Sequence, residues 1–362
     1  MRPGGFEPTL FRDVSVDDEF FDSLKEDYDG FAVWYARKSR EGASALVYSD
    51  AEGLGAFVYL KQEDESLPLS DAALPAEPRL KIGTLKVADR IQGERLGEGA
   101  IGLALWRWRE SACRQVYVTV FDKHRSLIGM LRKFGFARMG ANDRGESVFV
   151  KDRRSMDFAS PYRCFPFISP RFEAANLLVI EDRFHDVLFP YSELANAEQL
   201  QASFRSAAAN GVTKVYISGS ERLAARPGNP ILIYRKYTGA AGLPNFKSVI
   251  TSYCVVADVV AVKNRGSEIE SFEQFRARVR NKSVFGEHEI ARWYREHRNL
   301  TTIEMVYLGY FGPGNNVNYR WLKDNGYWAD THPHQFAYSP AELTAILKRG
   351  GVELADLTVD QS

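Results

Sequence analysis

The chain has 362 residues, enough for two domains of ordinary size. Hydrophobic residues make up 45% and charged residues 26%, a globular balance that argues against a disordered or fibrous protein. Formal net charge is +0, so no global field draws the chain to nucleic acid or to an anionic membrane. Three widely spaced cysteines without CxxC spacing exclude a disulfide framework and point to reduced thiols in a cytoplasmic protein. Neither a leader-like apolar start nor a run of about 20 apolar residues is present, which leads to an expectation of no membrane partner.

In chain order, Thr9–Val14 is the first expected strand. Phe20, Leu24 and Tyr28, then Phe31, Trp34 and Tyr35, recur at helical spacing and predict two short helices separated by Gly30. The runs ASALVYS and LGAFVYLKQ, joined by DAEG, read as a β-hairpin. Residues 63–78, rich in Pro, Asp, Glu and Ser, read as an irregular surface loop. LKIGTLKVA is a strand, 93–113 a helix, RQVYVTVF a strand, HRSLIGMLRKFGF a short helix, and FARMG with ESVFVKD a second hairpin. The order predicts a mixed α/β sandwich.

The segment 153–172, with its aromatics, prolines and arginines, is the expected linker between a domain at 1–152 and one at 173–362. Beyond it come a strand at LLVIE, helices around 193–210, and strands KVYIS, PILIYRK and KSVITSYCVVADVVAV. A charged helical region at 270–297, the strand TIEMVYLGYFG and the short helix YRWLKDNGY follow. Strand spacing here suits a small β-barrel with helices.

Leu85 to Leu105 carries the most chemistry. A strand enters a glycine loop that opens a helix, and the first helical N–H groups lack intrahelical partners. A pyrophosphate is well accommodated at such a place. Gln92-Gly93-Glu94-Arg95-Leu96-Gly97 resembles the (R/Q)-x-x-G-x-(G/A) loop of GNAT N-acyltransferases, with Arg95 where that pattern has its middle glycine. HRSLIGMLRKFGF is similar to the family's Asn-x-x-Ala-x-x-x-Tyr-x-x-x-Gly-Phe segment: Gly135 and Phe136 match, His124 stands at the asparagine and Leu131 at the tyrosine.

The resemblance covers about 140 residues in order. It implies a GNAT mixed-sheet domain that binds acetyl-CoA, with Leu85, Lys86 and Val87 pairing with pantetheine and residues 92–97 holding the pyrophosphate. His124 is the residue it offers for catalysis or cofactor contact. Leu131 removes the phenol that in this family often protonates the CoA thiolate. Glu63, Glu65 and Asp89 fall near the expected cleft edge, and none is singled out as the base.

The second half resembles PUA-like barrels of the ASCH/EVE type, in the segments LVIEDRFHDVLFPYSEL, SVITSYCVVADVVAV and RNKSVFGEHEIARWY. That likeness implies an RNA or nucleotide-containing acceptor. Thr251, Ser252, Lys282, Ser283 and Arg235 are its expected pocket residues, with Lys236, Lys247 and Arg320 for phosphates and Tyr253, Trp293 and Trp321 for stacking. His332 and His334 beside Asp330 lack matched ligands, and no metal site is expected. The expected activity is acetyl transfer from acetyl-CoA to an amine. The alternative is a non-catalytic RNA or modified-base binding protein whose GNAT fold senses acyl-CoA.

Overall fold

The computed structural model describes residues 5–190, 194, 206–220, 223–239 and 244–359. The chain divides into two compact units. One is built from residues up to 132 together with 136–152, the other from 133–135 and the chain from 153 onward.

The N-terminal unit holds a seven-stranded sheet in the order β1-β2-β3-β6-β7-β9-β8. Its strands are β1 (Glu7–Leu10), β2 (Ser44–Asp50), β3 (Gly53–Glu63), β6 (Arg79–Val87), β7 (Gln115–Val120), β8 (Ala137–Ala141) and β9 (Ser147–Asp152). All neighbours are antiparallel except β6 and β7. A parallel pair needs a crossover, and helix α3 (Leu96–Glu110) supplies it. Helices α1 (Asp22–Asp27), α2 (Phe31–Arg40) and α4 (Arg125–Lys133) complete the unit.

Gly55 to Tyr59 of β3 are buried in an unbroken run, so both faces of the sheet are covered there. One face carries an aromatic cluster of Phe11, Phe20, Phe21, Phe31, Tyr35, Phe57 and Tyr59 beneath α1 and α2. Phe11 sits edge-on to both Phe57 and Tyr59 at 5.3 and 5.1 Å. Rings of this kind each stabilise by roughly 1.5–3 kcal/mol through burial, with further gain from edge-to-face geometry. The Tyr35 hydroxyl, deep in this cluster, donates to the carbonyls of Phe11 and Val14, and burial pushes it up to about 12.

Several sequence expectations shift. The first strand ends at Leu10, and Phe11–Asp13 form a 3-10 turn instead of continuing it. The helix expected at 93–113 is shorter, because Gly93 and Arg95 both take left-handed backbone and delay its start to Leu96. Residues 63–78 are not wholly irregular: β4 (Leu67–Pro68) pairs with β5 (Ala73–Leu74), and Leu67, Leu69 and Leu74 pack on Tyr117, Val148 and Val150.

The C-terminal unit is a second mixed sheet, ordered β11-β15-β13-β12-β10-β17, with β14 and β16 attached to β13. Its strands are β10 (Ala175–Glu181), β11 (Thr213–Ser218), β12 (Pro230–Lys236), β13 (Val249–Asn264), β14 (Ser267–Glu268), β15 (Leu300–Tyr310), β16 (Val317–Asn318) and β17 (Ala337–Tyr338). The barrel expected from strand spacing does not close among the described residues, since β11 and β17 remain at opposite ends of the ladder. Much of the helical stretch expected at 193–210 lies outside the described residues; Ala207–Asn210 forms a short helix. Asp182–Leu188 and Pro340–Arg349 are among the helices not anticipated. Asp182–Leu188 follows β10 directly, and Pro340–Arg349 carries its own start signal, Ser339 capping the first turn, Pro340 at its first position and Glu342 closing the capping box. No helix among the described residues is long and apolar enough to cross a membrane.

Candidate active site

The candidate site of the N-terminal unit begins where two strands part. β6 and β7 are paired from Arg79↔Gln115 to Ile82↔Val118 and no further. At the next residue, Gly83, the β3–β6 register slips: Tyr59 faces Thr84 while Leu60 faces Ile82, leaving Gly83 as the extra residue of a bulge. A bulge bends its strand and increases local twist. Beyond Ile82, Gly83–Val87 have no strand partner on their outer edge among the described residues, while β3 holds the inner edge. Tyr59 packs closely on Gly83: its ring would lie 3.0 Å from an added Cβ and would have to shift to admit one.

β6 runs into a 3-10 turn at Asp89–Ile91 and then into the loop that opens α3. Gly93 has φ +92° with open space around it. Arg95 has φ 59°, so it adopts the backbone that the middle glycine of the related pattern supplies freely, at a cost of about 1–3 kcal/mol. Its guanidinium is turned back onto the buried Glu98, with Nε 3.1 Å from Oε2. The Gln92 amide likewise donates to Asp89, at 2.8 Å. The loop therefore offers a helix start, with the Arg95 charge already paired. An added Cβ at Gly97 would meet Met130 Cε at 3.2 Å and Val87 Cγ2 at 3.9 Å, so this helix start lies against both the end of β6 and α4.

These parts line one cleft of about 1610 Å³, larger than the usual 300–1,000 Å³ of a small-molecule pocket. Leu85, Lys86, Val87, Gln92, Gly93, Arg95, Leu96, Gly97 and His124 all line it. Glu94, exposed in the same loop, is not among the lining residues. The Lys86 ammonium reaches the Ser23 hydroxyl at 2.5 Å and sits over the Phe20 ring; burial holds its pKa down. His124, just ahead of α4, lies with Nε2 3.3 Å from Asp27, which also pairs with Lys123. Burial alone would raise Asp27, but these two partners outweigh it and hold the carboxyl below its usual range. Leu131 is fully buried and does not line the cleft.

Of the three carboxylates expected at the cleft edge, Glu65 and Asp89 are exposed. Burial would raise Glu63, but Lys61, Tyr117 and Lys81 more than offset it and hold its carboxyl low. That makes it a weak base.

A fourth carboxylate went unnoticed in the sequence. Glu146, only 3% exposed, lies in the turn between β8 and β9. Its Oε1 accepts from the Tyr28 hydroxyl at 2.8 Å and the Thr119 hydroxyl at 3.2 Å, and its Oε2 from the Asn142 amide at 2.8 Å. Thr119 is the first residue of β7 beyond the last β6 partner, so this carboxylate stands where the strands part. Burial, then Glu146, raises the Tyr28 phenol well above its ordinary value.

In the C-terminal unit, Thr251, Ser252 and Arg235 do come together, but in the interior. The Asp186 carboxylate takes Arg235 Nε and Nη2 at 2.8 and 2.7 Å and lies 2.8 Å from His185 Nδ1. His185 Nε2 lies 2.7 Å from the Thr251 hydroxyl, which is 3.2 Å from Ser252 Oγ. Thr251 is the extra residue of a bulge, since Ile233 faces Ser252 and Tyr234 faces Ile250. His185, Asp186 and Thr251 are wholly buried, Ser252 2% exposed and Arg235 6%. Burial lowers the His185 pKa and keeps the ring neutral. Nδ1–H then donates to Asp186, and Nε2 accepts from Thr251. Lys282 lies apart from this group, paired with Glu304 at 2.9 Å, and Ser283 is buried nearby in sequence. Trp293 packs against the buried Phe275 and Ile290 cluster, and Trp321 stacks on Tyr327. Arg320 is taken by Asp324, Lys247 lies over the Tyr237 ring, and Tyr253 is buried, while Lys236 is exposed.

No family model matches the chain, and no curated protein matches it. Among solved structures it is similar to Ard1 from Thermoplasma volcanium, with 15% identity over 41% of this chain and 95% of that one and a TM-score of 0.32. It is similar to the NatC complex bound to Gag peptide and CoA, at 14% identity over 41% and 96% with a TM-score of 0.29. It is also similar to an ASCH protein from Zymomonas mobilis, at 11% identity over 49% and 96% with a TM-score of 0.31.

Proposed function

We propose that the N-terminal unit binds an acyl-CoA and transfers its acyl group to an amine. The observation that carries this reading is the parting of β6 from β7 after Ile82, with the Gly83 bulge, beside a loop that opens α3. A pantetheine arm has amides that match the free edge of Gly83–Val87. A pyrophosphate matches the α3 start, where the helix dipole favours negative charge. In this reading Leu85, Lys86 and Val87 meet pantetheine, and residues 92–97 meet the diphosphate. Acetyl is the acyl group proposed, and an amine on RNA or a nucleotide the proposed acceptor, selected by the C-terminal unit. His124, held by Asp27, borders the cofactor path and is proposed as a contact.

The test is calorimetry with acetyl-CoA. Gly97→Glu puts a carboxylate and a long side chain into the diphosphate place, and affinity is expected to fall at least about tenfold, which is roughly 1.4 kcal/mol. Unchanged affinity in a folded variant removes the loop assignment. Thiol release with separate pools of tRNA, protein and small amines then identifies the acceptor class.

Leu131 favours a second reading, in which the fold binds acyl-CoA and serves as a sensor for an RNA-binding protein. A buried leucine at that position gives the departing thiolate no proton. Tight acetyl-CoA binding with no thiol release from any pool is the outcome that selects it.

A further inference from the structure

We propose that Glu146 and Tyr28 form the proton-accepting pair of this cleft, with Tyr28 the group that touches the acceptor amine and Glu146 the base behind it. The proposal rests on reading the cleft as a site of amine acylation.

Three observations carry it. The pair stands at the reacting place: Glu146 Oε1 is bonded to Thr119, the first β7 residue past the split, and both Tyr28 and Glu146 line the cleft. Second, the two ends differ in access. Tyr28 is half-buried and reachable, whereas Glu146 is buried, so a substrate meets the phenol first. Third, Glu146 has no lysine or arginine ion pair among the described residues; its oxygens are held by two hydroxyls and an amide. The cleft's other phenol–carboxylate pair, Tyr117 with Glu63, differs on each count. It sits on the still-paired part of β7, Tyr117 is 1% exposed, and Glu63 is neutralised by Lys61 at 2.8 Å and Lys81 at 3.9 Å.

The chemistry balances as follows. The acceptor arrives as an ammonium, and its proton passes to the Tyr28 oxygen as the Tyr28 proton passes to Glu146 Oε1. The neutral nitrogen then attacks the thioester carbonyl, a C–N bond forms, the C–S bond breaks with its electron pair going to sulfur, and the nitrogen's surplus proton leaves to water. The phenol is never left as phenolate, which its raised pKa would oppose. The CoA thiolate takes a proton from water, and Glu146 returns its proton to solvent. Leu131 then matters little, because proton removal from nitrogen is served from the opposite wall.

Charged groups around the pair are Asp27 and Arg144, which act on Tyr28, and Lys123 and His124, which pair with Asp27. A pH profile must therefore be compared between variants and not read from the wild type alone. The experiment uses the full chain with acetyl-CoA and two probe amines, n-propylamine, which is protonated at neutral pH, and hydroxylamine, which is already neutral there. For Tyr28→Phe and for Glu146→Gln, kcat/KM with n-propylamine is expected to fall about 10²-fold, within the span of general-base catalysis. Its pH dependence is expected to lose its plateau and climb about tenfold per pH unit with the neutral amine. Hydroxylamine turnover and the acetyl-CoA Kd are expected to change little, which also reports that the variants fold. Retention of the wild-type profile by both variants overturns the relay, as does loss of both amines' turnover in equal measure. Wild-type protein that binds acetyl-CoA but acylates neither amine overturns the relay while leaving the cofactor site standing. Failure to bind acetyl-CoA at all overturns the cofactor reading itself.

Discussion

Asp186 shows what single residues carry in the C-terminal unit. It is wholly buried, and one carboxylate serves both the Arg235 guanidinium and the His185 ring. Removing it leaves the ring N–H without its acceptor and the buried cation with only Asp182, 3.9 Å away, so Asp186→Ala is expected to cost about 3 kcal/mol in urea unfolding. Acid should act through the same group. Burial holds the His185 pKa below its usual value of 6.5, so the unfolded chain binds this proton first and its contribution fades as pH falls below about 6.5. For Asp186, burial pushes upward, but Arg235 and His185 hold it low; its contribution is present above about 3.9 and is lost as pH falls through the depressed value. Thermal unfolding from pH 7.5 to 5 should show a falling Tm in wild type and a flatter profile in His185→Gln. A wild-type Tm that does not move over that range contradicts a neutral buried His185. Sequence reading named Thr251, Ser252 and Arg235 as a ligand-lining group and overlooked His185 and Asp186. His185 and Thr251 stand 66 residues apart, with no local pattern that would pair them. Glu146 escaped for the same reason, standing 118 residues from Tyr28.

At the level of elements, what was legible followed local periodicity. The hairpin β2–β3, the strand β6, the crossover helix α3 and the strand β7 were all readable because their apolar spacing and turn residues are contiguous. Where two strands stop pairing is a property of register, and register is nonlocal. A signal did exist: Gly83 interrupts an otherwise β-rich run, and an isolated strand glycine marks a bulge or a close approach. Here it marks both. Gly83→Val is therefore a test at this scale. The new side chain must displace the Tyr59 ring, 3.0 Å from the added Cβ, and overpacking of this kind costs about 1–3 kcal/mol. Gly83 also lines the cleft. The expected result is a lower urea midpoint together with an acetyl-CoA affinity weakened about tenfold or more. Lost stability with unchanged affinity places the cofactor elsewhere than between β6 and β7. The Pro340–Arg349 helix was missed despite a complete capping box, a start signal that periodicity alone does not weigh.

For the whole molecule, the three cysteines tie composition to the chemistry that must be measured. They are too far apart in sequence to suggest a framework, and all three are free and buried: Cys113 and Cys164 are 2% exposed and Cys254 is 0%. Reaction with a disulfide reagent needs the thiolate and needs access. Burial denies access to each, and it pushes the Cys254 thiol far above its ordinary value. Native protein is therefore expected to react with well under one equivalent of Ellman's reagent over the minutes of an assay, and with three equivalents once unfolded in guanidinium. Two units that open independently would instead release thiols in steps, Cys113 with the N-terminal unit and Cys164 with Cys254 from the other. Prompt labelling of the native chain would show that at least one unit opens readily. It would also mean that thiol release from acetyl-CoA must be followed by a direct thioester absorbance instead. A silent native chain makes every equivalent of released thiol a count of CoA, which the acceptor and relay experiments require.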